Sequence, residues 1–199
     1  MVLKRVPTVR TFCTEEELIK GFVDGWIKSF NKIPSKESIG VLYAQNALET
    51  GATKYMWNYN IGNVKAKDIP GQVVEYCVLN NVWEIINGKK IILSPESPGS
   101  WFLSFRTLAD GISHHISFLR NNRYNKAWEA VENGNPAAFV SKLKKLGYFT
   151  ASEADYIKLM NFYFNKYMKS NHYELAIKAN EKVKPWEKIG NFFSKLFGK

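Results

Sequence analysis

The sequence predicts an α+β domain that is mostly helical and carries a small antiparallel β-hairpin insertion. Three observations carry that expectation. Apolar residues recur at helical spacing on both sides of the chain's middle, and a block at residues 72–93 switches to β-branched and aromatic runs. Within that block Asn87-Gly88 separates two such runs, and Asn-Gly there signals a hairpin because both turn positions need positive φ. At 199 residues the chain can bury one core and a small appendage. With 45% hydrophobic and 15% aromatic residues it is not a disordered composition.

Thr14 and Glu17 form a capping-box pair ahead of Leu18, Ile19, Phe22, Val23, Trp26, Ile27 and Phe30, which predicts a first helix with an apolar stripe facing the core. Pro34-Ser35 opens a second helix bearing Ile39, Leu42 and Tyr43 on one face, and Gly51 is placed to end it. Runs at 73–79, 82–86 and 89–93, separated by Asn80-Asn81 and Asn87-Gly88, predict a sheet of two or three short antiparallel strands. A Ser, Pro and Gly-rich loop at 94–100 follows, and then helical periodicity through Leu108, Ile112, Ile116 and Leu119. Asn135-Pro136 begins a short helix to about Lys145, and Ser152 with Asp155 caps a long one with Tyr156, Leu159, Met160, Tyr163 and Tyr167 on one face. This body is expected to span residues 1–170, leaving 171–199 as a basic C-terminal segment.

Twenty-eight basic against 18 acidic residues leave a formal charge of +10, which favours an anionic partner such as nucleic acid, a lipid surface or a bacterial wall polymer. No basic helix or stacking platform specifies a nucleic acid, so none is expected as a partner. Cys13 and Cys77 lack metal-ligand spacing and read as free thiols, and His114-His115 point to different sides of their helix. Neither a metal nor any other cofactor is expected. Residues 1–7 lack the apolar run of a secretory signal, and no segment reaches the ~20 apolar residues of a membrane span. The chain is therefore expected to be made in the bacterial cytoplasm without a signal peptide, and to be a monomer.

Glu49 is the most informative residue. At about 100° per residue it projects within ~20° of Leu42, at the rim of the apolar stripe of the second helix. Partial burial there disfavours the charged form, so Glu49 is expected to hold a proton near neutral pH and to serve as a donor.

Four patterns in this order resemble glycoside hydrolase family 73, bacterial and phage N-acetylglucosaminidases of the lysozyme-like superfamily. Ala44-Gln45-Asn46-Ala47-Leu48-Glu49-Thr50-Gly51 is similar to the family's Ala-Gln-x-Ala-Leu-Glu-Ser-Gly helix, and Tyr59-Asn60-Ile61-Gly62-Asn63-Val64-Lys65-Ala66 to its Tyr-Asn-x-Phe-Gly-x-Lys-Ala loop. Val82-Trp83-Glu84-Ile85-Ile86-Asn87-Gly88 resembles the hairpin with a second glutamate. Phe105-Arg106, Arg123-Tyr124 and Leu146-Gly147-Tyr148-Phe149-Thr150 resemble the Phe-Arg, Arg-Tyr and Gly-Tyr-Ala-Thr markers.

The resemblance implies a peptidoglycan hydrolase in which Glu49 protonates the glycosidic oxygen, Glu84 on a mobile hairpin closes over the cleft, and Tyr148 lines the reacting sugar. Glu84 would activate water or stand by while the substrate's acetamido group assists. Trp57, Tyr59, Asn60 and Tyr124 are the expected sugar contacts, by stacking and amide hydrogen bonds. The chain departs from the family at Gly51-Ala52-Thr53, where relatives carry Gly-Trp-Gly, at Ile61, and in the longer Ala151-Ser152-Glu153 segment. A muramidase, a lytic transglycosylase and a non-catalytic wall-binding phage tail protein are the alternatives.

From Pro185 to Gly198 a helical wheel gathers Trp186, Ile189, Phe192, Phe193, Leu196 and Phe197 within an arc of ~140°, opposite Lys188 and Lys195. That pattern suits an anionic membrane or lipopolysaccharide surface, and equally a last helix docked on the body or a partner. Combined with the wall-hydrolase motifs it predicts a bacteriophage lysin, acting at the wall or carried by the virion.

Overall fold

A computed structural model describes residues 2–67, 73–86, 88–121 and 123–181. The architecture is α+β, as the sequence predicts: a helical body with two small sheets at its edge. Helix α1 (Glu15–Phe30) starts on the expected capping box, with the Thr14 hydroxyl accepting from Glu17 N and the Glu17 carboxylate accepting from Thr14 N. Helix α2 (Lys36–Thr50) is capped by Ser35, which accepts from Ser38 N, and ends at Gly51, whose φ of +59° is the left-handed conformation that glycine tolerates best.

Helix α2 is the central member, buried on every side from Ser38 to Ala47. It can lie that deep because Gly40 lets helix α6 (Glu153–Met168) approach: a Cβ at Gly40 would sit 2.8 Å from Phe164 Cε2 and 2.9 Å from Tyr167 Cδ1. The Tyr43 and Tyr167 rings stack across the same contact at 5.5 Å. The other walls of the core are α1, α3 (Leu108–Asn121), α4 (Asn125–Glu132) and α5 (Pro136–Lys145). Trp26 on α1 stacks on Trp128 of α4 with centroids 5.3 Å apart. On α6 the inward stripe is Tyr156, Met160 and Tyr167, with Phe164 turned to Gly40; Leu159, expected on this face, is exposed.

The strands differ from the expected single sheet. β3 (Trp83–Ile86) and β4 (Lys89–Ile92) form the hairpin, in register from Trp83 opposite Ile92 to Ile86 opposite Lys89, with Gly88 at φ +74°. Asn87 of the expected turn lies outside the described residues. β2 (Val73–Val78) does not join them. It pairs in parallel with β1 (Val2–Arg5) and antiparallel with β5 (Trp101–Leu103), forming a separate sheet of order β1-β2-β5. Its pattern of partly buried residues packs on Leu3, Leu103 and Ala66, which the hairpin strand β4, exposed along its length, could not supply.

Residues 172–181 are helical and dock on the body: Ala176 is buried, Tyr173 donates to Pro34 O at 2.6 Å, and Asn180 donates to Asp24 at 2.8 Å. Packing onto the body thus runs past the boundary expected at residue 170. The amphipathic segment expected at 185–198 lies outside the described residues. Cys13 and Cys77 are both free. No described helix is long and apolar enough to cross a membrane.

Candidate active site

The site is built where a strap of irregular chain, residues 57–67, crosses the C-terminal end of α2. Irregular backbone needs partners for its polar groups, and asparagines supply them here. Asn58 accepts from Val9 N and donates to Pro7 O and Ser104 Oγ. Asn60 donates to Val64 O and Leu103 O and accepts from Val64 N. Asn46 of α2 donates to Ile61 O, and Asn63 donates to Glu49 O, each at 2.5 Å. Asn58, Tyr59 and Asn63 all take positive φ, a conformation asparagine adopts more readily than most residues.

Between the strap, α3 and the turn after α5 lies a cleft of about 650 Å³. Glu49 lines it, with Asn63, Val64, Lys65 and Lys67 from the strap, His114 and Phe118 from α3, and Arg123, Tyr124, Tyr148 and Phe149. Glu49 is half-buried, with one oxygen engaged: the Tyr156 hydroxyl donates to Oε1 at 2.5 Å. Burial pushes the Glu49 carboxyl up to about 7, with the Tyr156 hydrogen bond opposing the shift. The C-terminal end of the α2 dipole also disfavours the carboxylate. At neutral pH a large fraction of Glu49 is therefore a carboxylic acid.

Tyr148 stands beside it. Its hydroxyl donates to Gly62 O at 3.3 Å, its ring meets Tyr124 edge-on at 5.0 Å, and burial together with the Glu49 charge keeps the phenol protonated. Gly147, at φ +69°, makes the turn that presents Tyr148, and Arg123 Nη2 holds that turn by donating to Gly147 O at 2.9 Å. Beneath the cleft the buried pair Gln45 and His115 bond at 3.0 Å. Burial and the neighbouring His114 push the His115 imidazole down to about 3, so it is neutral.

The structure places Glu49, Tyr148 and Tyr124 along one cleft. Glu84 does not line the cleft; it forms an ion pair with Lys65, which does. Trp57, Tyr59 and Asn60 do not line it either. Trp57 bridges to Arg10, the Tyr59 amide donates to Thr11, and Asn60 is 3% exposed with both amide atoms engaged in the strap. As placed, Asn60 holds the wall up and is not available to hold a sugar. Tyr156 is not among the expected site residues: its spacing places it on the core stripe, and the signal that points to the site is its hydroxyl, which a buried tyrosine must satisfy somewhere. Among the described residues no cluster of His, Cys, Asp and Glu could hold a metal ion.

No family model matches the chain, and no curated protein matches its sequence. Two solved structures are similar. The crystal structure of a peptidoglycan hydrolase mutant from Sphingomonas sp. A1 aligns with a TM-score of 0.51 at 18% identity, over 82% of this chain and 99% of that one. The catalytic domain of the autolysin Auto from Listeria monocytogenes aligns at 0.47 and 17%, over 83% of this chain and 90% of that one. At 18% identity the first shows a shared fold.

Proposed function

We propose that this chain hydrolyses the β-1,4 glycan backbone of peptidoglycan, on the reducing side of N-acetylglucosamine, with Glu49 as the general acid. The observation that carries the reading is a single carboxyl group, raised to about 7, at the wall of an aromatic and cationic cleft. A protonated carboxyl at that place can deliver its proton to a glycosidic oxygen as the bond breaks, and such an acid contributes about 10²–10⁴ in rate. Tyr124, Tyr148, Phe118 and Phe149 offer flat apolar surfaces for sugar faces, and Lys67 and Arg123 suit the carboxylates of the wall polymer. The shared fold with a protein named as a peptidoglycan hydrolase supports the same substrate.

Glu84 serves as the second carboxylate. Its ion pair with Lys65 is partly exposed, so it costs little to exchange, and the hairpin that carries it projects Trp83, Ile91 and Ile92 into solvent. Exchange of that pair frees Glu84 to act on the oxocarbenium-like transition state, activating the attacking water or standing by while the substrate's acetamido group assists. In the cell this activity fits a phage lysin whose cationic C-terminal segment meets an anionic surface.

Digestion of purified peptidoglycan followed by borohydride reduction of the new ends tests the bond. N-acetylglucosaminitol is the expected product. Muramitol would assign the chain as a muramidase, anhydro-muramic ends as a lytic transglycosylase, and the absence of new ends would leave a wall-binding protein.

A further inference from the structure

We propose that Tyr156 is a positioning residue that reserves Oε1 of Glu49 as an acceptor, so that the transferable proton sits on Oε2, the oxygen that meets the substrate. The inference rests on Glu49 being the acid of the proposed reaction. A carboxylic acid has one carbonyl-type oxygen and one hydroxyl, and a donor pointed at one oxygen makes that oxygen the carbonyl. Tyr156 points its hydroxyl at Oε1 from 2.5 Å. No described residue bonds to Oε2, and Glu49 is only partly buried. Glu49 itself lines the cleft.

Tyr156 is built to hold that bond. It is 6% exposed, and its ring lies flat on Phe149 with centroids 4.0 Å apart and 11° between planes. Burial and the Glu49 charge hold its phenol far above the working pH range, so it remains a donor throughout. The other groups that face Glu49 do different work. From the turn after α5, Tyr148 spends its proton on Gly62 O. From α3 and the chain after it come His114, Arg123 and Tyr124, and from the strap Lys65 and Lys67, none of which bonds to the carboxyl. Tyr156 is thus the one described donor that distinguishes the two Glu49 oxygens.

Removing the donor has a direction. The Tyr156 bond favours the carboxylate, so its loss moves the alkaline limit of activity upward while the proton is shared between two oxygens and delivered less often. For Tyr156→Phe, assayed on soluble glycan strands, we expect kcat to fall about tenfold, KM to stay within about twofold, and the alkaline limb of kcat/KM to move up by roughly half to one pH unit. Site-specific replacement of Tyr156 by 3,5-difluorotyrosine keeps the ring stack and strengthens the donor, so the limb should move down. That replacement carries the test alone if Tyr156→Phe does not fold. An alkaline limb that stays in place in the folded proteins, while Glu49→Gln is inactive, would overturn the role of Tyr156 and leave Glu49 as the acid. Full activity of Glu49→Gln would overturn both.

Discussion

The side-chain amide of Asn63 donates to the backbone carbonyl of Glu49 at 2.5 Å, joining the strap to the last turn of α2. A carbonyl in the last turn of a helix has no partner inside the helix, and here the cleft wall supplies one. Asn63 also holds φ +47°. Asn63→Ala loses the bond and strains the backbone, so it should destabilise the fold by about 1–3 kcal/mol, whereas Asn63→Gly should recover the backbone part. Urea midpoints of the two variants separate these contributions. Equal midpoints for both variants and the parent would contradict the role given to Asn63.

Glu49→Gln should make the protein more stable above neutral pH. Burial pushes the folded carboxyl up to about 7 from its ordinary value of 4.5, so the fold favours the protonated form. The stability it contributes is fully present below about 4.5 and is lost as pH rises through 7. Glutamine is neutral throughout and can still accept from Tyr156. Thermal unfolding should show no difference at pH 4 and a gain on the order of 1–2 kcal/mol at pH 8, discounted for the solvent that Glu49 still meets.

Activity should share that titration. An acid that must be protonated loses effect as it ionises, so kcat/KM should fall through pH 7 and by about tenfold per unit above pH 8. A rate that is flat from pH 6 to pH 9 would remove Glu49 as the proton donor.

Glu84→Gln should separate chemistry from folding. The pair with Lys65 is partly exposed on both sides, and such pairs contribute about 0–1 kcal/mol. The melting temperature should therefore stay within a few degrees while kcat falls by about 10²-fold or more. An unchanged kcat would assign Glu84 to the surface of the hairpin.

Gly40→Ala tests the packing that places the site. The new methyl would meet Phe164 and Tyr167 at 2.8–2.9 Å, and both belong to the helix that carries Tyr156. Overpacking of this kind costs about 1–3 kcal/mol. The variant should unfold at lower denaturant and also lose activity, because α2 and α6 together set the Glu49 to Tyr156 distance.

What the sequence made legible was local. Thr14 with Glu17, Ser35 with Gly51, Asn135-Pro136 and Ser152 mark helix ends through bonds that reach only three or four residues. The hairpin was readable for the same reason. The partners of β2 were not, because β1 pairs with it across some 70 residues and nothing in Val2–Arg5 names that partner. Helix α4 carries no start signal in the sequence, because Tyr124 gives it no side-chain cap. In the site, Glu49 and Tyr148 were legible from motif order, whereas Tyr156 reaches Glu49 from 107 residues away along the chain. Asn60 shows the converse: its motif was legible, but its three bonds within the strap and to Leu103 turn it away from the cleft.

The most direct measurement is the release of new reducing ends from purified peptidoglycan by the parent chain and by Glu49→Gln, with both shown to be folded by circular dichroism. The parent should release ends carrying N-acetylglucosamine, and Glu49→Gln should release them at least about 10²-fold more slowly while binding the wall equally well. Release by Glu49→Gln at the parent rate would contradict the assignment of Glu49 as the acid.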